Sequence, residues 1–147
     1  MATRRLMKER TQLEKDPLEY CQIEVGSDMF SWKVNLQGPA STPYAGGSFW
    51  IKVEFPTQYP FKPPMFQFIT KVYHPSVELE TGKICADIMN EGWGPTLNVR
   101  HCLQIIYGLL QAPDGDHPLE ESIAQQLREK PKEFEKMAKK YTRDFAN

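Results

Sequence analysis

Of the residue types able to do covalent chemistry here, cysteine comes first, because its thiolate is both accessible near neutral pH and strongly nucleophilic. The chain has three cysteines and three histidines. Cys21 begins a strand-like run and Cys102 falls on the apolar stripe of a helix, whereas Cys85 sits in HPSVELETGKICADIMNEGWGP, which obeys neither period cleanly. Read with period two, Ile84, Ala86 and Ile88 share one face and Cys85 and Asp87 the other. With the apolar trio toward the core, thiol and carboxylate would look out together, and Cys85 becomes a candidate nucleophile. The plainer alternative is a small buried hydrophobe. A Cys/His hydrolase would pair Cys85 with His74 or His101, but His101 falls on a helix. A zinc site built from Cys21, Cys85 and Cys102 has no supporting spacing.

The elements that would position Cys85 can be read from periodicity. A helix is predicted from about Thr3, as cap, to Lys15, ended by Asp16-Pro17, with Leu6, Met7 and Leu13 as its thin apolar content. Cys21, Ile23 and Val25 make a weak strand. Trp32, Val34 and Leu36 alternate with polar residues, as do Phe49, Ile51, Val53 and Phe55, then Phe66 and Phe68. Short turns between them predict an antiparallel meander with one buried face. Pro56 to Pro64 reads as a rigid surface loop, and residues 70–97 as a long irregular segment of the kind that tends to be functional. Asn98 caps a helix with Val99, Cys102, Leu103, Ile106, Leu109 and Leu110 on one stripe. Pro118 suits the first position of a shorter helix, capped by Asp116 or His117, and Pro131 starts the last, with Phe134, Met137, Ala138, Tyr141 and Phe145 on one face. The outline is an α+β domain spanning residues 1–147.

The totals exclude several classes. Eighteen Lys and Arg balance nineteen Asp and Glu, so nucleic acid is not an expected partner. No apolar stretch reaches the roughly 20 residues of a membrane span. An odd cysteine count without paired spacing or a signal-peptide pattern favours a reducing compartment, the cytoplasm or the nucleus. Charge is uneven locally. The first fifteen residues are basic (Arg4, Arg5, Lys8, Arg10 and Lys15 against Glu9 and Glu14), and residues 114–121 carry four acids and no Lys or Arg. A basic first helix could dock an acidic partner, though a solvated helix face is the commoner meaning.

Over its whole length the chain resembles the ubiquitin-conjugating enzyme family. Tyr44-Ala45-Gly46-Gly47 is similar to its Y-x-G-G turn, and Phe55-Pro56 through Tyr59-Pro60-Phe61-Lys62-Pro63-Pro64 to its F-P-x-x-Y-P-F-x-P-P loop. His74-Pro75 matches the start of H-P-N, and Gly82-Lys83-Ile84-Cys85 with Asp87-Ile88 matches the active-site G-x-I-C-x-D-I. Trp93-Gly94-Pro95, Pro113 and Asp116-His117-Pro118-Leu119 complete an ordered set. The resemblance implies a four-stranded meander with an N-terminal helix, a crossover helix and two C-terminal helices. It implies that Cys85 takes ubiquitin, or a ubiquitin-like protein, as a thioester from an activating enzyme. Transfer to a substrate lysine with a ligase, or to a ligase cysteine, would follow. ATP would be spent by the activating enzyme; no cofactor or metal is expected, and the chain is expected to act as a monomer.

The resemblance also assigns roles by position. Asp87, Asp116 and His117 would receive the lysine; His74, Pro75 and Tyr73 would brace the loop. Arg5, Phe61, Pro95 and Thr96 match the face that meets activating enzyme and RING- or HECT-type ligases, and Gln104 and Gly108 a donor-ubiquitin contact. The chain departs from the pattern at Ser76, where the family has asparagine, and its Ser76–Cys85 spacing is one residue longer than the commonest form. Serine offers one hydroxyl where an amide offers two N–H donors and a carbonyl. Loss of a direct oxyanion donor would slow aminolysis by roughly 10²–10³-fold; loss of a loop brace would cost less. Ser76 is therefore expected to weaken lysine transfer more than loading of Cys85. The alternative is a non-catalytic or weakly active ubiquitin-binding variant of the same fold.

Overall fold

Alternating apolar and polar residues build the sheet that anchors the rest. The computed structural model describes residues 2–147. Its elements are α1 (Ala2–Lys15), β1 (Cys21–Val25), β2 (Ser31–Gln37), β3 (Ser48–Glu54), β4 (Met65–Phe68), α2 (Ala86–Asn90), α3 (Val99–Gln111), α4 (Glu121–Glu129) and α5 (Pro131–Phe145). The strands form one antiparallel meander, β1-β2-β3-β4, in which Ile23, Val34 and Ile51 align across three strands and Ile51 faces Phe68. Trp32, Val34, Leu36, Phe49, Ile51 and Val53 are buried on the inner face, each side chain contributing about 1.5–3 kcal/mol. On the opposite face Asn35 is also covered, because its Oδ1 accepts from Gln37 Nε2 and Ser48 Oγ, both at 2.8 Å.

The inner sheet face shares one core with the helices. Asn98 caps α3, its side chain accepting from the His101 amide at 2.9 Å, and Val99, Cys102, Leu103, Ile106 and Leu110 are buried; Leu109 is only half-buried. In α1 Leu6 and Leu13 face inward, Met7 is exposed, and Thr3 lies inside the helix instead of capping it. Pro131 takes the first turn of α5 as expected. That helix buries Phe134, Ala138 and Thr142, the threonine hydroxyl donating to the Ala138 carbonyl at 2.8 Å, while Phe145 is exposed beyond the body.

Two further expectations fail. α4 begins at Glu121, not at Pro118, and neither Asp116 nor His117 caps it. The amides of Leu119 and Glu120 are instead spent on the Pro75 carbonyl (2.8 and 3.1 Å), which holds that segment extended. The long irregular segment also contains α2, so the alternation read over residues 84–88 is not that of a strand. Among the described residues no helix is long and apolar enough to cross a membrane.

Candidate active site

Cys85 occupies the N-cap of α2, where a turn of helix begins against two neighbouring segments. Its amide donates to the Ser76 carbonyl at 3.0 Å, and its own carbonyl accepts from Met89 at 3.2 Å. Just upstream, Ile84 bridges Val77 and Lys83 bridges Gln67 at the edge of β4. Gly82 makes that approach possible: it has φ +79°, and a Cβ there would stand 1.9 Å from the Phe68 carbonyl oxygen. A cleft of about 300 Å³ runs between β4 and α2, lined by Phe66, Lys83, Met89 and the two residues flanking Cys85, Ile84 and Ala86.

The thiol is less open than the alternating pattern suggested. Cys85 is 6 % exposed, Ala86 and Asp87 are exposed, and Ile88 is half-buried. A helical turn tucks Cys85 against the Ser76 loop while turning Ala86 outward, the reverse of the expected alternation. Cys85 nevertheless lies outside the contiguous apolar cluster that takes in Cys21 and Cys102. Burial pushes the Cys21 thiol up to about 11 and the Cys102 thiol up to about 12, which makes both poor nucleophiles. Among the described residues no three His, Cys, Asp or Glu side chains gather to hold a metal ion.

A chain of hydrogen bonds fixes the loop beside Cys85. His74 is fully buried; its Nε2–H donates to the Leu109 carbonyl (2.8 Å) and its Nδ1 accepts from the Ser76 amide (2.9 Å). Burial lowers its pKa to about 4, so the ring is neutral and acts as a brace. The bonds run on from Ser76 to the Cys85 amide, tying α3 to Cys85. Tyr73 braces from behind, its carbonyl accepting from Tyr44 Oη (2.6 Å) and its own hydroxyl donating to Gln126 (2.7 Å). Ser76 is 1 % exposed and its Oγ has no hydrogen-bond partner, alone among buried side-chain polar atoms of the described residues. Asp116 and His117 are exposed on the loop that Pro75 holds through Leu119 and Glu120, and the Asp116 amide donates to Asp114 Oδ1 (3.0 Å).

A family model described as ubiquitin-conjugating enzyme matches residues 5–142. The chain belongs to the ubiquitin-conjugating enzyme family. It is similar, at 34% identity and a TM-score of 0.93, to the solved structure of a candidate ubiquitin conjugating enzyme from Plasmodium yoelii, covering 99% of this chain and 96% of that one. The E2 domain of a Toxoplasma gondii ubiquitin conjugating enzyme matches at 33% identity and a TM-score of 0.91, over 100% of both chains.

On this ubiquitin-conjugating fold the remaining positions form two groups. Arg5 reaches the carbonyls of Pro95 (3.0 Å) and Leu97 (2.7 Å), and Trp93 Nε1 donates to the Pro60 carbonyl (2.9 Å), so Arg5, Phe61, Pro95 and Thr96 share one end of the molecule. Phe61 is 63 % exposed, with Pro95 and Thr96 also exposed. Gln104 and Gly108 lie on the outer side of α3. Behind the first group is a residue that sequence reasoning passed over as mere helix charge. Glu9 is 5 % exposed and accepts from the Val99 amide (2.8 Å), Tyr59 Oη (2.5 Å) and Arg5 Nε (2.7 Å). The available signal was its i,i+4 spacing from Arg5. Glu120 reads in the sequence only as a first-turn acid of the helix expected at Pro118, but its carboxylate accepts from the Leu79 amide at 2.8 Å, and no local pattern announces that bond.

Proposed function

We propose that the protein carries ubiquitin, or a ubiquitin-like modifier, as a thioester on Cys85. The Cys85 thiolate attacks the carbonyl of the activating enzyme's thioester, the new C–S bond forms and the activating enzyme's thiol leaves. An acceptor lysine then attacks, an amide forms, and the Cys85 thiol is restored; alternatively a ligase cysteine takes the acyl group. The first exchange is nearly balanced in energy, so it asks for access and not for strong activation. Aminolysis asks for more, because the ammonium must lose a proton and charge develops on the thioester oxygen.

The observation that carries this reading is the placement of Cys85. It is the one cysteine outside the apolar cluster, held by its amide to the Ser76 loop at the position of the family's active-site motif. Asp87, in the first turn of α2, and Asp116 and His117, both exposed, would receive the incoming lysine. The end bearing Arg5, Phe61, Pro95 and Thr96 is the docking face for activating enzyme and ligase, with Phe61 as its rigid apolar anchor. Gln104 and Gly108 offer a small, polar contact to the carried modifier.

A second reading has support in Ser76. Its sealed, partnerless hydroxyl in place of an asparagine favours a protein that loads well and discharges to lysine slowly. The test is to mix the protein with activating enzyme, ATP and ubiquitin. A thiol-sensitive adduct absent from Cys85→Ala is expected; no adduct with any modifier would refute the activity.

A further inference from the structure

We propose that Glu120 is a positioning residue for transfer to lysine, acting through the backbone of the loop that carries Ser76; this rests on the reading of Cys85 given above. Glu120 stands at the N-cap of α4, yet its side chain makes no capping bond to its own helix. The carboxylate is turned to the Leu79 amide, 41 residues away in sequence, at 2.8 Å. Its amide and that of Leu119 hold the Pro75 carbonyl at 3.1 and 2.8 Å. The loop from Pro75 to Leu79 is therefore clasped at both ends by two consecutive residues of the segment that also bears Asp116 and His117.

Between the clasped ends lie Ser76, whose carbonyl holds the Cys85 amide, and Val77, which bridges Ile84. The clasp thus sets the distance between three things at once: the nucleophile, the buried Ser76 hydroxyl and the acid-bearing loop. On its far side that loop is backed by α4, since a Cβ at Gly115 would stand 2.9 Å from the Arg128 guanidinium. Of the three clasping bonds, only the one from Leu79 uses a side chain. Charge-assisted bonds of this kind are the stronger class. The chain from Ser76 to Cys85 is also one residue longer than the commonest form, and a longer connection needs an added anchor to be held in one geometry.

The test compares Glu120→Ala and Glu120→Gln with the parent, using ubiquitin loaded by activating enzyme and ATP, free lysine as acceptor, and Leu79 amide exchange followed by NMR. In Glu120→Ala the ratio of lysine-discharge rate to loading rate is expected to fall about 10- to 100-fold, the scale for a small displacement near reacting groups. Leu79 exchange should accelerate by at least about tenfold. Glu120→Gln keeps a carbonyl acceptor and should stay within about threefold of the parent on both readouts. An unchanged ratio in Glu120→Ala, or a Gln variant as impaired as the Ala variant, overturns the proposal. If Glu120→Ala does not fold, Glu120→Asp, one methylene short of the Leu79 amide, carries the same expectation. A parent that takes up no ubiquitin sinks the reading of Cys85 instead, and Leu79 exchange then still decides whether the clasp exists.

Discussion

Replacing Ser76 by alanine should make the protein more stable and leave its discharge to lysine nearly unchanged. Ser76 is 1 % exposed and its hydroxyl is buried and unpartnered, and such a group costs the folded state about 1–3 kcal/mol in lost hydration. Alanine removes that cost, offset by the oxygen's few dispersion contacts, on the order of 0.5 kcal/mol in all. A net gain of about 1 kcal/mol corresponds to roughly 2–4 °C in Tm for a chain of this size. A hydroxyl sealed inside the loop supplies no donor to the developing oxyanion. Its removal should therefore leave single-turnover discharge to free lysine, and loading, within about threefold of the parent, against the roughly 10²-fold loss expected for a working oxyanion donor. Thermal unfolding and lysine discharge are measured on the same samples. A stability loss of more than about 1 kcal/mol would mean that the hydroxyl is bonded in solution, and a fall of about 10²-fold in discharge would place it in the chemistry. Alanine is a cleaner probe than asparagine, since an amide forced into so closed a site would cost about 1–3 kcal/mol in overpacking.

Three further outcomes are expected. His74, with its pKa lowered to about 4 by burial, should keep a neutral ring well below pH 6 in NMR titration. The unfolded chain then binds more protons between about pH 6.5 and 4, so the His74 contribution to stability is lost as pH falls through that window, by about 3 kcal/mol in total. A titration midpoint near the ordinary histidine value would refute this. Glu9→Ala leaves the Val99 amide, Tyr59 hydroxyl and Arg5 without their shared acceptor and should cost about 3–5 kcal/mol in denaturant unfolding; a loss under 1 kcal/mol would show that water serves as well. Phe61→Ala should leave stability within about 0.5 kcal/mol and reduce discharge stimulated by a RING ligase more than tenfold, and equal stimulation would remove Phe61 from the docking face.

Much of the architecture was legible because it rests on long periodic patterns. The alternation in β2 and β3 and the stripe of α3 with its Asn98 cap each span two or more repeats, enough to fix element and face. α2 has five residues, too few for a helical period to show, so a two-residue period was read into it and the exposure of Cys85 and Ala86 came out inverted. The late start of α4 has a similar origin: Pro118 carries a helix-start signal, but the amides after it are claimed by Pro75, a residue far off in sequence. Glu9 and Glu120 were hidden for the same reason. A glutamate is usually solvated, and what holds these two are backbone amides 90 and 41 residues away, which no local pattern encodes. The site itself was legible mainly through the ordered motifs around Cys85, which name positions but not exposures.

The most direct test uses a variant with Cys21→Ala and Cys102→Ala, in which Cys85 is the only thiol left. Incubated with activating enzyme, ATP and ubiquitin, it should gain the mass of one ubiquitin less one water. The adduct should map to Cys85 and be released by excess thiol. An unmodified mass under conditions that charge another conjugating enzyme, or an adduct that resists thiol, would contradict the thioester on Cys85.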